Sequence, residues 1–148
     1  MPEEDTIPRV ACLFIRETDA GAKEVLFVRS PDGAAFFIPG GRRVEAKLDE
    51  DQEEVDKKVL ARKMRLDLDV ELVLDELTKY TSFAAPAFGK EEGVMVENKY
   101  FVAHSYLGLL KTTMQIYALA WRRYDSSMDD CTEADRAAMS LLREEGII

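Results

Sequence analysis

A single histidine and two cysteines are all that this chain of 148 residues offers, and that scarcity removes several kinds of chemistry at once. His104 has no serine, cysteine or second histidine at a recognisable spacing, so it reads as structural rather than catalytic. Cys12 and Cys131 lie far apart in sequence and match no metal-binding spacing; Cys12, inside an apolar stretch, reads as a small core residue. A reducing cytoplasm is the expected setting. No apolar run approaches the length of a membrane span, and no basic-then-apolar leader precedes the first expected strand, so no membrane role is expected. Positive charge is also short. The 20 Lys and Arg residues against 29 Asp and Glu leave a net charge of −9, which argues against a broad nucleic-acid-binding surface.

What is present describes an ordinary soluble globule. Hydrophobic residues make up 47% of the chain and charged residues 33%, enough for a real core in one domain over 1–148, with 1–6 expected to be flexible. Val10–Ile15 and Lys23–Arg29 read as strands joined by the turn chemistry of Thr18-Asp19-Ala20-Gly21. A short strand at Phe36–Ile38 follows the turn Ser30-Pro31-Asp32-Gly33. A helix is expected from about Asp49 to Met64, with Val55, Val59, Leu60 and Met64 inward. Strands are expected at Val70–Tyr80, Met95–Tyr106 and Ile116–Trp121, with a loop at Ala84–Gly93. The closing helix spans about Thr132 to Glu145, capped by Asp130 with Glu133 or by Thr132 with Asp135, and stopped at Gly146. Mixed strands with one helix in the middle and one at the end give an α/β (α+β) sandwich.

The most informative stretch is Phe36-Phe37-Ile38-Pro39-Gly40-Gly41-Arg42-Arg43-Val44-Glu45 and the charged helix that follows it to Leu68. It resembles the opening of the Nudix box, the signature of Mg²⁺-dependent hydrolases of nucleoside diphosphates linked to another moiety. In that family the box runs Gly, five residues, Glu, seven residues, Arg-Glu-apolar-any-Glu-Glu-any-Gly-apolar, and its helix carboxylates hold the metal. The segment from Thr81 to Val96, the segment from Met114 to Asp125 and the ending from Leu141 to Ile148 are similar to stretches of one bacterial Nudix subgroup. The resemblance implies a Nudix-like α/β/α sandwich with a mixed β-sheet between helices, and places Trp121 in its core.

The metal end of the box departs from the family. Counted without gaps from Gly41, the Arg-Glu pair falls on Val55-Asp56 and the paired glutamates on Val59-Leu60. With three residues inserted, the Arg-Glu pair falls on Lys58-Val59 and the paired glutamates on Arg62-Lys63. Neither register offers the cluster of hard oxygens that Mg²⁺ requires. Glu50, Glu53 and Glu54 repeat the Glu-x-x-Glu-Glu spacing, but they begin nine residues after Gly41 where the family pattern needs fifteen. Their crowding in the first half of the helix, with Lys and Arg in the second, also suits the helix macrodipole and solvated pairs such as Glu53–Lys57 and Glu54–Lys58. Elsewhere, Ala84, Pro86, Phe88, Tyr117 and Ala118 stand where the subgroup carries polar or charged groups.

Three readings follow. The first is a Nudix-fold protein that has lost metal-dependent diphosphate hydrolysis and binds a nucleotide-like small molecule or serves as an interaction module. Its ligand-binding candidates are Arg29, Phe37, Gly40, Gly41, Arg42, Phe88 and Tyr117, with Arg62 and Lys63 available to salt-bridge a diphosphate directly. The second is an active pyrophosphohydrolase whose Mg²⁺ or Mn²⁺ is held by Glu45, Glu50, Glu53 and Glu54, the last three also serving catalysis. The third is a structural module, a homodimer with a filled cleft. No cofactor is expected under the first and third readings.

Overall fold

Alternation along the first strand dictates the layering. In β1 (Thr6–Leu13), Val10 and Cys12 face one side and Ala11 and Leu13 the other, and all four are buried. Such a strand is satisfied only when both faces of its sheet are covered. The computed structural model, which describes residues 6–31, 33, 35–86 and 93–148, covers both. Further strands are β2 (Ile15–Glu17), β3 (Lys23–Arg29), β4 (Gly40–Arg42), β5 (Glu71–Leu72), β6 (Leu77–Pro86), β7 (Met95–Ala103), β8 (Tyr106–Leu107) and β9 (Ala118–Arg122). The helices are α1 (Gln52–Leu68) and α2 (Glu133–Glu144). The main sheet is mixed, in the order β4-β1-β7-β6, with β1 and β7 parallel and the outer pairs antiparallel. A second sheet, β2-β3-β9, is antiparallel, and β5 pairs with β8.

Two cores flank the sheets. On one side Val10, Cys12, Phe14, Leu26, Val28 and Phe101 pack against Leu60, Met64 and Leu68 of α1. On the other, Ala11, Leu13, Val25, Phe27 and Tyr100 pack against Ala138, Met139 and Leu142 of α2. The result is the expected α+β sandwich. Among the described residues no helix is long and apolar enough to cross a membrane.

Several local expectations need correction. Phe36–Ile38 forms only isolated bridges, Phe37 to Val28 and Phe36 to Cys131, because the chain bends straight into Pro39 and β4. The expected strand Val70–Tyr80 is broken by a 3₁₀ turn at Leu74–Glu76, and β6 runs on to Pro86 into what reads as a loop. Residues 87–92 of that loop, including the candidate Phe88, lie outside the described residues. Helix α1 starts later and ends later than its charge pattern suggests. Asp51 caps it by accepting from the Glu54 N–H at 3.2 Å, and Asp69 ends it in the left-handed region at φ 56°. Its inward face is Asp56, Leu60, Met64, Asp67 and Leu68, with Val55 and Val59 only half-buried. Trp121 is also half-buried, beneath the Arg16 guanidinium at 4.2 Å. At α2, Thr132 makes no side-chain cap bond; its hydroxyl donates instead to Asp135 Oδ2 at 2.6 Å. Gly146 does adopt the left-handed stop, at φ 74°.

Of the two box glycines, only Gly40 is required by close backbone approach. Neither has positive φ; both lie in β4, antiparallel to β1 with Gly40 opposite Ala11 and Gly41 opposite Val10. A methyl group on Gly40 would stand 2.0 Å from the Val10 carbonyl oxygen, inside backbone that cannot move aside. A methyl on Gly41 would meet only the Lys63 stem, at 3.1 Å. Gly40→Ala should therefore cost about 3 kcal/mol or more, in the upper range for overpacking, whereas Gly41→Ala should cost well under half of that. Urea unfolding of the two variants checks the contrast, and equal losses would contradict it.

Candidate functional site

Two cavities open along β4 and the end of β3. The first, about 360 Å³, is lined by Arg9, Phe37, Ile38, Arg42, Asn98 and Asp135 among others. Its polar wall is a buried network on the α2 side of the sheet. Asp135 accepts from the Tyr100 hydroxyl at 2.6 Å, the Thr132 hydroxyl at 2.6 Å and the Ile38 N–H at 2.9 Å. Burial raises the Asp135 carboxyl above the usual carboxylate range, while these three donors pull it back down. Burial and the neighbouring Asp135 push the Tyr100 phenol well up.

Asn98 completes the wall and leaves a loose end. Its Nδ2 donates towards Tyr100 Oη at 3.3 Å and Asp135 Oδ1 at 3.4 Å, which leaves its Oδ1 buried without a partner among the described residues. Flipping the amide would turn a carbonyl oxygen onto an accepting carboxylate, so the network itself fixes the orientation. A buried acceptor without a donor is costly. Arg9 is a second loose end. Burial lowers its pKa, yet it makes no ion pair or side-chain hydrogen bond among the described residues and only stacks over Phe37, its guanidinium carbon 5.7 Å from the ring centre.

The second cavity, about 280 Å³, shares Arg9, Ser30, Phe37 and Arg42 with the first and adds Gly40, Gly41, Lys63 and Asp67. The Lys63 stem lies on Gly41, and its amine pairs with Asp67 at 3.2 Å. About two turns before Lys63 on the same helix, Asp56 is fully buried. It takes two bonds from the Arg43 guanidinium, at 3.0 and 3.1 Å, one from Gln52 at 2.9 Å and one from Lys99 at 3.3 Å. Gln52 also reaches back to the Val44 carbonyl and accepts from the Ala46 N–H, both close to 2.9 Å. Together these bonds fasten the loop after β4 onto the start of α1.

Solved structures that share only 16–20% of their residues with this chain have its architecture. MutT from Methanosarcina mazei Go1 superposes with a TM-score of 0.68 at 16% identity, over 95% of each chain. An Ap4A hydrolase from C. elegans gives 0.62 at 17%, over 95% of this chain and 96% of that one. A MutT NUDIX hydrolase from Burkholderia pseudomallei gives 0.61 at 20%, over 90% and 96%. The chain has the Nudix fold. No family profile and no curated protein matches it in sequence.

With the Nudix fold in place, the sequence candidates separate. Phe37, Gly40, Gly41 and Arg42 line the cavities. Arg29 and Tyr117 do not; the Arg29 guanidinium lies over the rings of Phe36 and Tyr117, 5.4 and 5.2 Å from their centres, and Tyr117 is largely exposed. His104 bonds Thr78 at 3.1 Å on the surface. Glu45, Glu50, Glu53 and Glu54 are exposed: Glu50 accepts from the Lys47 N–H, and Glu53 faces Lys57 at 3.9 Å. Among the described residues, no three of His, Cys, Asp or Glu gather to hold a metal ion. α1 and its flanking loop therefore present, among the described residues, no cluster of hard oxygens of the kind a divalent ion requires, and beside Gly41 α1 lays the stem of Lys63, whose amine pairs with Asp67. Arg9, Asn98 and Asp135 escaped the sequence reading because no motif links positions so far apart; Asn98 alternating with Tyr100 on one strand face was the available signal.

Asp56, which reads from the sequence as one more acid on a solvated helix, anchors this side of the fold. Asp56→Asn should cost about 3 kcal/mol, because it leaves Arg43 and Lys99 without their carboxylate. Glu53→Gln, which removes only a surface pair, should change stability by less than about 0.5 kcal/mol. Chemical denaturation distinguishes the two, and a neutral Asp56→Asn would show that the hub carries no weight.

Proposed function

We propose that this Nudix-fold protein binds a nucleotide-like ligand and does not hydrolyse diphosphates with a metal ion. The observation that carries the reading is the first cavity. It offers an aromatic wall at Phe37 and, among the described residues, a carbonyl oxygen at Asn98 without a hydrogen-bond partner and a guanidinium at Arg9 without an ion pair. Apolar lining with a few convergent polar groups is what a small-molecule site requires. A flat ring against Phe37, with an N–H turned to Asn98, would satisfy the orphaned acceptor.

The absence of hydrolysis follows from what α1 presents. Diphosphate cleavage needs charge neutralisation and an activated water, both of which divalent ions supply in such sites. Lys63 can neutralise phosphate charge, but an ammonium group has no lone pair with which to hold a metal or accept a proton. The burial phase of α1 supports the alignment with three inserted residues. Leu60 then takes the apolar position between the Arg-Glu pair and the paired glutamates, and Lys63 falls on the second glutamate. A reducing, cytoplasmic setting belongs to the same reading, with Cys12 and Cys131 both free and buried.

The test combines turnover with binding. Phosphate release is measured from nucleoside triphosphates and nucleoside diphosphate conjugates with Mg²⁺ or Mn²⁺, for the parent and for a Glu50/Glu53/Glu54→Gln variant. Melting temperature is followed with a panel of nucleosides, since a ligand that binds only the folded state raises it. The expected outcome is no turnover in either protein, and stabilisation of the parent that Asn98→Leu abolishes. Turnover that disappears in the Gln variant would establish the working hydrolase instead. No turnover and no stabilisation by any nucleoside would leave a structural module.

A further inference from the structure

One long edge of the main sheet is left open. Among the described residues β6 pairs only with β7, so its 10 residues carry an outer row of backbone groups without a strand partner. Natural edges are blunted by charge, proline, bulges or covering structure. Here Lys79 is the one charged residue of the strand, and Pro86 stands at its very end. Thr78, Lys79, Ser82 and Ala84 are exposed. The one blunting device within the strand is a bulge between Lys79 and Thr81, with Tyr80 as the extra residue. It throws the side chains beyond it out of step with a regular strand.

A second copy of β6 carries the same bulge and restores the step. Cross-strand partners must share a sheet face. Lys79, Ser82 and Ala84 lie opposite Phe101, Lys99 and Glu97, on the α1 side, whereas Thr81 and Phe83 lie opposite Tyr100 and Asn98, on the α2 side. When two β6 strands run antiparallel about a twofold axis at Ser82, each bulge falls opposite Phe83 of the other copy. Every other pair then matches in face: Lys79 with Ala84, Thr78 with Ala85, and Leu77 with Pro86. Charge agrees with this register. Glu97 is exposed beside Ala84 on the α1 side, and neither it nor Lys79 has an ion pair among the described residues. The small Ala84 lets Lys79 of the other copy cross to Glu97, and the twofold axis makes that pair twice. The neighbouring charges are already engaged: Lys99 by Asp56 at 3.3 Å, and Glu145, on the α2 side, by the Tyr80 hydroxyl.

We propose that this chain forms a homodimer through antiparallel pairing of β6 with β6, which joins two four-stranded sheets into one. The partner is a second copy rather than an unrelated strand, because only a strand with the same bulge keeps both faces in step along the full edge.

Analytical ultracentrifugation of the full chain over a range of concentrations measures the assembly, and disulfide trapping reads its register. At the axis Ser82 meets its own copy, so Ser82→Cys should link the dimer covalently under mild oxidation. Thr78→Cys, which lies far from its own copy, should not, and the native Cys12 and Cys131 are buried. Ser82→Lys, which sets two lysines face to face, should give a monomer with an unchanged circular dichroism spectrum. Lys79→Glu should weaken association by about tenfold or more, since two attractions become two repulsions, and adding Glu97→Lys should restore it to within about threefold. A chain that is monomeric at every concentration would overturn the proposal. So would a dimer that survives Ser82→Lys, that links as readily through Thr78→Cys as through Ser82→Cys, or that the charge exchange fails to rescue.

Discussion

The contact of Gly40 with the Val10 carbonyl is the constraint on which the rest of the site depends. Only a residue without a side chain lets β4 lie this close to β1. That approach sets Arg42 opposite Arg9, puts Gly41 under the Lys63 stem and leads the chain into Arg43, which must reach Asp56. The fold thus spends its least tolerant backbone contact on positioning charged groups, and the apolar cores on either side hold the strands that carry them.

Charge is arranged in two unlike ways around this edge. At Asp56 it is internally satisfied: one buried carboxylate takes bonds from Arg43, Lys99 and Gln52, and so fastens a loop to a helix. Specificity of loop placement is a reasonable return for the desolvation such a cluster costs. At Arg9 and Asn98, charge and polarity are left open among the described residues. The contrast between a closed cluster and an open one, on neighbouring strands of one sheet, is what separates scaffold from site. Beside Gly41 the side chain that α1 presents is Lys63, with its amine held by Asp67.

Much of the fold was legible in the sequence, because alternation at Val10–Leu13 and the spacing of Leu60 and Met64 are local signals of burial. The resemblance that began at Pro39-Gly40-Gly41 led to the right architecture. What local patterns could not carry was partnership across the chain. Asp56 is indistinguishable from its acidic neighbours until Arg43 and Lys99 are brought to it. Trp121 reads as core from its family position, and it packs half-buried against the α1-side core with the Arg16 guanidinium over its ring. Half of the candidate site was legible for the same reason. Phe37 to Arg42 form one continuous segment, while Arg9, Asn98 and Asp135 converge only through the sheet register and the packing of α2. Arg29 and Tyr117 line neither cavity and stack on one another, a pairing that the sequence does not announce.

The central claim is that α1 offers a fixed cation, rather than a metal site, to whatever binds over Gly41. Titration with Mn²⁺ followed by electron paramagnetic resonance tests it most directly, because bound and free ions are counted without any assumption about the ligand. The account predicts no stoichiometric high-affinity Mn²⁺ in the parent protein, with or without a nucleoside diphosphate held on it. One tightly bound ion per chain, lost when Glu50, Glu53 and Glu54 are neutralised, would contradict it.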